Sequence, residues 1–557
     1  MKKKAFQKLT ALVAVTAMSA SLLTGCGSDA SGSNDAATNN AQESAASVGT
    51  QEANSEHPSW ISEDPLEIGI MVMDSSQQPM AQDSKSHEAI FEATNVKLDF
   101  QIVPSSSYDE KKNIALSTQN FPDIIYLRSA SDISDFASEG IFEPLSQYIN
   151  EETMPNFYKF WQQYPEMQRY MVDGEMYVFP VVLRDEWANG FGPVIRTDLL
   201  EENGIATPTT WDEVLDALAQ LKEIYPDSTP WAIRKGTANL LKTTSYMLGS
   251  GFGSVSASSG MYWDEDLGKY VYGPADTNFK EVLKFLNKAY TTGVLDQEYA
   301  TTDSDSMTTK CSSGQSFFFV DNSGFGQNYT NELRKIAGNE NATFQVLPIP
   351  ENSLGERRAV SYDTRFGKLY ANAKNKDQII KFIDWMYSME ASDITNYGIE
   401  GETFQYNADG EAEYISDYVM QFKDASPSDY YACWTDIGAG KLDFSMYACN
   451  IKTQREIQMI TGSWSDLTED YWKIINDDDA YVQPHIAPSF TTEEADRVKE
   501  LTTDLDTFFT QEYDKYITGK ESIDNWDALI KKAEDMGVRE LEQLWNDAEA
   551  RAVAGTK

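Results

Sequence analysis

From residue 60 onward, apolar positions recur in two rhythms: short runs, continuous or alternating, and longer stretches at three- and four-residue spacing. LEIGIMVM at 66–73 is short and almost wholly apolar, the pattern of a strand buried on both faces. VKLDFQIV at 96–103 alternates apolar with polar, and FPDIIYL at 121–127 reads as a turn into a third strand. The stretches 89–94 and 109–118 between them carry the helical rhythm. Strand, helix, strand, helix, strand predicts an α/β fold on a parallel sheet.

DGEMYVFP at 173–180 predicts a turn and a strand, and further short strands are expected at 194–196, 317–320 and 344–347. Trp211, Val214, Leu215, Leu218, Leu221 and Tyr225 fall on one helical face, opened by a Thr210/Glu213 capping box. A helix over 279–290 stops at Gly293, and another near 379–386 starts from an Asn375/Gln378 pair. Thr491 and Glu494 form a second capping box before Val498, Leu501, Leu505 and Phe508. Two further helices follow, at 526–533 and 541–548. Trp211, Trp385, Trp526 and Trp545 lie on these stripes and belong to the core. No fixed-period repeat is visible.

The first residues follow another rhythm. Lys2, Lys3, Lys4 and Lys8 precede an apolar run at 9–23, too short for a permanent membrane helix. The run closes in LTGC at 23–26, which resembles the bacterial lipobox, whose cysteine receives a diacylglycerol. Residues 1–25 are therefore expected to be a lipoprotein signal peptide and Cys26 the lipidated N-terminus. A chance cysteine after an ordinary signal peptide is the other reading. Residues 26–58 are polar and low in apolar content, a flexible tether. Two or more acyl chains anchor durably, so the expected place is the outer face of the cell membrane, held by lipid alone.

Composition narrows the picture. A chain of 557 residues exceeds what one core holds, so two or more lobes are expected. The net charge of −43, near −47 once the four signal lysines are gone, repels phosphate backbones and excludes nucleic acid as a partner. Aromatic residues at 12% mark this acidity as the coat of a folded protein. After Cys26, the cysteines Cys311, Cys433 and Cys449 allow at most one pair, with Cys433 and Cys449 an open pairing. No nucleophile elbow, HExxH or phosphate loop occurs, and no cofactor or metal is expected. The acidic run at 264–268 lacks alternating oxygen ligands and reads as a solvated loop.

FPDIIYL at 121–127, GIFEPL at 140–145, DGEMYVFP at 173–180, IRTDLLEENGI at 195–205 and PTTWDEVLDAL at 208–218 occur in that order. IKFIDWMYSMEAS at 380–392, GIEG at 398–401 and FTTEEADRV at 490–498 follow. With the lipobox and tether, this ordered set resembles the family 1 extracellular solute-binding proteins of Gram-positive carbohydrate ABC importers. The resemblance implies a two-lobe clamp of the type II periplasmic-binding-protein kind, like maltose-binding protein, each lobe a parallel-rich sheet flanked by helices. It implies crossings between lobes near 176–180, 320–323 and 399–401. The N-terminal lobe would then hold 59–178 plus 321–398, and the C-terminal lobe 179–320 plus 399–557. It further implies no enzyme but a monomeric, lipid-anchored binding protein that captures an oligosaccharide and delivers it to the transmembrane subunits of an ABC permease. A secreted glycoside hydrolase, a surface carbohydrate receptor without a transporter, and the same clamp binding a peptide or other solute stay open.

Sugars present CH-rich faces that stack on aromatic rings and hydroxyls that need directional partners, so a sugar site combines Trp or Tyr with polar loop residues. Trp187, with Glu186 beside it in the loop after the first crossing, is the leading stacking candidate, or else a locally packed loop tryptophan. Arg128 follows a strand that leads toward the cleft, and is otherwise a salt-bridge residue. Gln77 follows the first strand. Asp321, Asn322 and Phe325 follow the FFFV strand. Tyr362 and Arg365 lie in the segment the family places beside the hinge. Trp231, Trp263 and Trp434 would come from the second lobe, and each is alternatively a core residue.

Overall fold

The computed structural model describes residues 60–74, 83–127, 132–133, 136, 140–182, 191–252, 260–360, 366, 369–372, 377–423, 425, 429–438 and 466–555. The chain runs β1 (Leu66–Asp74), α1 (Lys85–Thr94), β2 (Val96–Pro104), α2 (Tyr108–Ser117), β3 (Ile124–Leu127) and β4 (Val178–Pro180). β5 (Phe191–Arg196), α3 (Trp211–Ile224), α4 (Gly236–Thr244), β6 (Met261–Asp264), β7 (Lys269–Tyr272) and α5 (Phe279–Thr291) follow. Next come β8 (Phe318–Asn322), α6 (Gly324–Leu333), β9 (Phe344–Val346), β10 (Ala359–Val360), β11 (Leu369–Asn372) and α7 (Asp377–Trp385). The end is helical, with α8 (Thr492–Ile517), α9 (Trp526–Asp535) and α10 (Val538–Gly555).

The first sheet has the order β2-β1-β3-β11-β4. β1 pairs in parallel with β2 and β3, while β11 lies antiparallel between β3 and β4. Ile68, Ile70, Met71 and Val72 of β1 are buried, as a strand paired on both sides requires. The second sheet, β8-β5-β9, pairs antiparallel around β5. Single parallel bridges from Trp231 to Phe318 and to Leu295 extend it. Each sheet thus reads as parallel strands with one antiparallel strand inserted beside them, two copies of one plan. The fold is the two-lobe clamp, with separate cores around the two sheets.

Two expected crossings need correction. The chain does not leave the second sheet at 320–323, because Phe344–Val346 still pairs with β5 and α6 packs against that sheet; it leaves after β10. Nor does it change lobes at 399–401. Tyr397, Phe404, Tyr414, Cys433 and Trp434 form a small core whose end meets α1, through Ser86 N–H donating to Ile437 O at 3.0 Å and Lys85 paired to Asp436 at 3.1 Å. By Tyr471 and Ile475, which pack on the second sheet, the chain is back in that lobe.

The second lobe is closed by the C-terminal helices. Asn546 of α10 bonds both the N–H and the C=O of Tyr270, each at 2.9 Å, holding the β6–β7 hairpin as a further strand would. Gly273 follows β7 where a Cβ would lie 1.7 Å from the carbonyl oxygen of Gly251, so no larger residue fits that approach. The two lobes are tied outside the sheets as well. Arg169 of the first lobe is buried against Glu549 of α10, donates to the carbonyl of Ile486 and contacts His485, whose ring stacks on Trp263 at 3.9 Å and 6°. The Ser489 hydroxyl returns a hydrogen bond to the carbonyl of Arg169 at 2.9 Å.

Candidate functional site

Short crossings join one end of each sheet. β4 ends at Pro180 and β5 begins at Phe191; the ten residues between span at most about 36 Å. The second crossing joins β10 to β11 over a similar reach. Both meet the first sheet at one end, where Leu369 pairs with Leu127 on one side and Pro180 on the other. Both meet the second at one end, where Phe191 pairs with Asn322 and Tyr481, opposite Ala359, donates its hydroxyl to Phe191 O at 3.0 Å. These are the carboxyl ends of the parallel strands, where open α/β sheets bind ligands.

On the second-lobe edge the described side chains form a compact group. The strand segment through Trp231 ends at Arg234, and α4 starts at Gly236 after Lys235, which holds a left-handed φ of 59°. Arg234 grips Asp321 at the end of β8 through Nε and Nη2, both at 2.7 Å. The second Asp321 oxygen also faces Asn239 Nδ2 at 3.5 Å, and the first accepts the Asn322 N–H at 2.7 Å. The guanidinium carbon stands 5.0 Å over the Phe325 ring, a cation–π arrangement, and Phe325 rests on Tyr329. Burial pushes the Tyr329 phenol above its ordinary range, with the Cys311 thiol adding to the effect, so it stays a neutral backing.

Asp321, Asn322 and Phe325 thus sit together at the facing edge. Asp321 does so as a buried group, 1% exposed, with both oxygens engaged. Asn322 is half-buried, and its Oδ1 accepts the N–H of Gly324 at 2.9 Å. Two of the three expected second-lobe platforms, Trp231 and Trp434, are corrected. Trp231 is fully buried between Phe318 and Phe285, and its indole N–H has no acceptor. Trp434, 2% exposed, lies in the small core beside α1, on the first-lobe side. Trp263, half-buried, lays one face on His485 in the interlobe tie. Gln77, Arg128, Glu186, Trp187, Tyr362, Arg365 and Cys26 lie outside the described residues, as does Cys449; Cys311 and Cys433 are buried free thiols.

The sequence reading missed Arg234 and Asn239. The signal available was the apolar WAI at 231–233 ending in Arg-Lys-Gly, a short strand running into a helix start. The acidic run at 264–268 turns out to be the β6–β7 turn, with Asp264 accepting from Leu267 N–H and from the Tyr262 hydroxyl. Among the described residues no cluster of acidic, histidine or cysteine side chains is arranged to hold a metal ion, and no helix is long and apolar enough to cross a membrane. A separate groove of about 500 Å³ runs along α1 to the amino end of β2, lined by Ser84, His87, Phe91 and Lys97 among others.

The family described as bacterial extracellular solute-binding protein matches residues 73–393. The chain is 23% identical over 459 residues to the fructooligosaccharide ABC transporter substrate-binding protein FusA of Streptococcus pneumoniae serotype 4, covering 78% of this chain and 80% of that one. It is 22% identical over 484 residues to the polygalacturonan/rhamnogalacturonan-binding protein YtcQ of Bacillus subtilis strain 168, covering 85% and 89%. Among solved structures, the alginate-binding protein AlgQ2 without calcium ion superposes with a TM-score of 0.71 at 20% identity, covering 88% of this chain and 99% of that one.

Proposed function

Because the chain belongs to the bacterial extracellular solute-binding proteins, a family of transporter components and not of enzymes, we propose that it captures an oligosaccharide between its lobes for an ABC importer. The observation that carries this reading is the pair of facing strand edges, joined by two short crossings and lined on one side by Arg234, Asn322 and Phe325. Such a group offers a ring face and directional donors, the two things a sugar asks of a site. The names of FusA and YtcQ, both carbohydrate binders, support the ligand class.

Closure about the crossings serves delivery. A ligand shifts the open–closed equilibrium only by its differential affinity for the closed state, so the permease can distinguish loaded from empty protein. The loop carrying Glu186 and Trp187, in the first crossing, and the segments carrying Gln77, Arg128, Tyr362 and Arg365 enter this reading as the rest of the wall. The protein acts outside the cell, as a monomer held by the lipid on Cys26. Cys26→Ala is expected to move it from the membrane fraction to the medium; full retention in the membrane would remove the lipid anchor.

A thermal-shift screen against oligosaccharides tests the binding reading. A ligand at one hundred times its Kd adds about 2.7 kcal/mol of stability. One sugar class is expected to raise the transition, and Trp187→Ala to weaken that sugar by about 1 kcal/mol or more. A shift with a peptide or another solute, and with no sugar, would overturn the oligosaccharide assignment.

A further inference from the structure

We propose that Arg234 is the ligand-contacting residue of the second-lobe wall, held in place by Asp321, and that the pair selects neutral oligosaccharides over uronic-acid ones. The proposal rests on the oligosaccharide reading above and narrows its substrate class.

Exposure decides which member of the pair meets the ligand. The Arg234 side chain is 18% exposed and that of Asp321 only 2%, although the two carry opposite charges at 2.7 Å. Asp321 has its oxygens committed to Arg234, Asn239 and the Asn322 N–H, so it is a positioning residue. Its carboxylate fixes the guanidinium plane through two parallel hydrogen bonds, and Phe325 supports that plane from below. A guanidinium so fixed reaches the ligand with its ordering entropy already lost, which favours directional bonds to hydroxyls.

Charge decides the class of ligand. An arginine meant for a carboxylate is strongest when its charge is uncompensated; here the charge is cancelled within the wall by a buried partner. The flanking side chains, Asn239 and Asn322, are neutral amides, and Lys235 is exposed, where water and salt screen it over about 8–10 Å. The chain as a whole carries −43, a field that disfavours a polyanion approaching the cleft. What this wall offers is a neutral, donor-rich edge beside an aromatic ring. Neutral sugars match it, and uronate oligomers would bring in a carboxylate that nothing among the described residues of this wall repays.

Calorimetry on the full-length protein tests the inference, with neutral tetrasaccharides (fructan, glucan and xylan fragments) set against tetragalacturonate. Wild type is expected to bind a neutral sugar at least tenfold more tightly than tetragalacturonate. Asp321→Asn keeps the shape and an acceptor oxygen but removes the compensating charge. It is expected to lower neutral-sugar affinity severalfold and to raise tetragalacturonate affinity about tenfold. The double variant Arg234→Met with Asp321→Leu replaces the pair by apolar groups and guards against misfolding of the single variant; its far-UV spectrum should match wild type while neutral-sugar affinity falls tenfold or more. Tighter wild-type binding of tetragalacturonate would overturn the neutral-sugar selection and leave the oligosaccharide reading standing. A double variant that folds and binds neutral sugar as wild type does would overturn Arg234 as a contact. Binding of neither sugar class, with another solute bound, would remove both readings together.

Discussion

Single residues in this protein are governed by how much water they keep. Asp506 on α8 accepts the Tyr272 hydroxyl at 3.3 Å, and burial pushes its carboxyl up to about 7, a rise this hydrogen bond only partly offsets. A carboxyl whose folded pKa lies above its unfolded value of about 3.9 holds its proton better in the fold. Its contribution is greatest at low pH and is lost as pH climbs from about 4 through 7. Asp506→Asn is therefore expected to stabilise the protein by roughly 1 kcal/mol at pH 8 and by about a third of that at pH 5. Thermal unfolding at the two pH values checks this, and equal shifts would mean that Asp506 is already ionised in the fold. The tryptophans obey the same rule. Trp231 lies on a short strand segment that runs into a loop, as a ligand platform would, but Phe318 and Phe285 enclose it.

Elements here are begun by local chemistry and completed by partners far along the chain. Thr491 caps α8 by accepting the Glu494 N–H at 3.3 Å, and Glu494 returns a bond to the Thr491 N–H at 3.0 Å. Both residues stand in the sequence at capping-box spacing, so the helix start is legible without any tertiary contact. Thr491→Ala is expected to cost about 1 kcal/mol. In urea titration the midpoint should fall with the slope unchanged; no change in midpoint would show that the Glu494–Arg551 pair holds the helix end alone. β11 is the opposite case. Leu369–Asn372 gives no strong strand signal, and it becomes the antiparallel strand of the first sheet only because β3 and β4 offer it two open edges.

At the scale of the molecule, the lobes share more than their crossings. Arg169 and Glu549, 8% and 7% exposed, meet beside His485 and join the first lobe to the last helix. Burial works to raise the Glu549 pKa, but the hydrogen bonds from His485 and Arg169 prevail and hold it below the usual carboxylate range. A depressed carboxylate stabilises the fold above its unfolded pKa, and that stability is lost as pH falls through the folded value. Glu549→Gln leaves Arg169 buried without its counter-charge, and a loss of about 3 kcal/mol is expected at pH 7. The difference from wild type should shrink below about pH 4. Denaturant unfolding at pH 7 and pH 3.5 checks both, and a pH-independent difference would assign the loss to packing.

The sequence by itself determined what depends on near neighbours. The strand runs at 66–73 and 96–103, the helix caps at Thr210 and Thr491, and the aromatic stripes of the C-terminal helices are set by spacing over a few residues, and the structure reproduces them. The ordered motifs sufficed for the family and the clamp. Only the tertiary structure decided where the chain changes lobes, because a strand such as β9 reads the same whichever sheet receives it, and pairing with β5 is a contact across some 150 residues. It also decided the roles within the candidate site. Asp321 and Arg234 are both polar residues at strand ends, and nothing local marks Asp321 as the fully buried member and Arg234 as the half-buried one. That division follows from the packing of β8, α4 and Phe325 around the pair, which no pattern along the chain encodes.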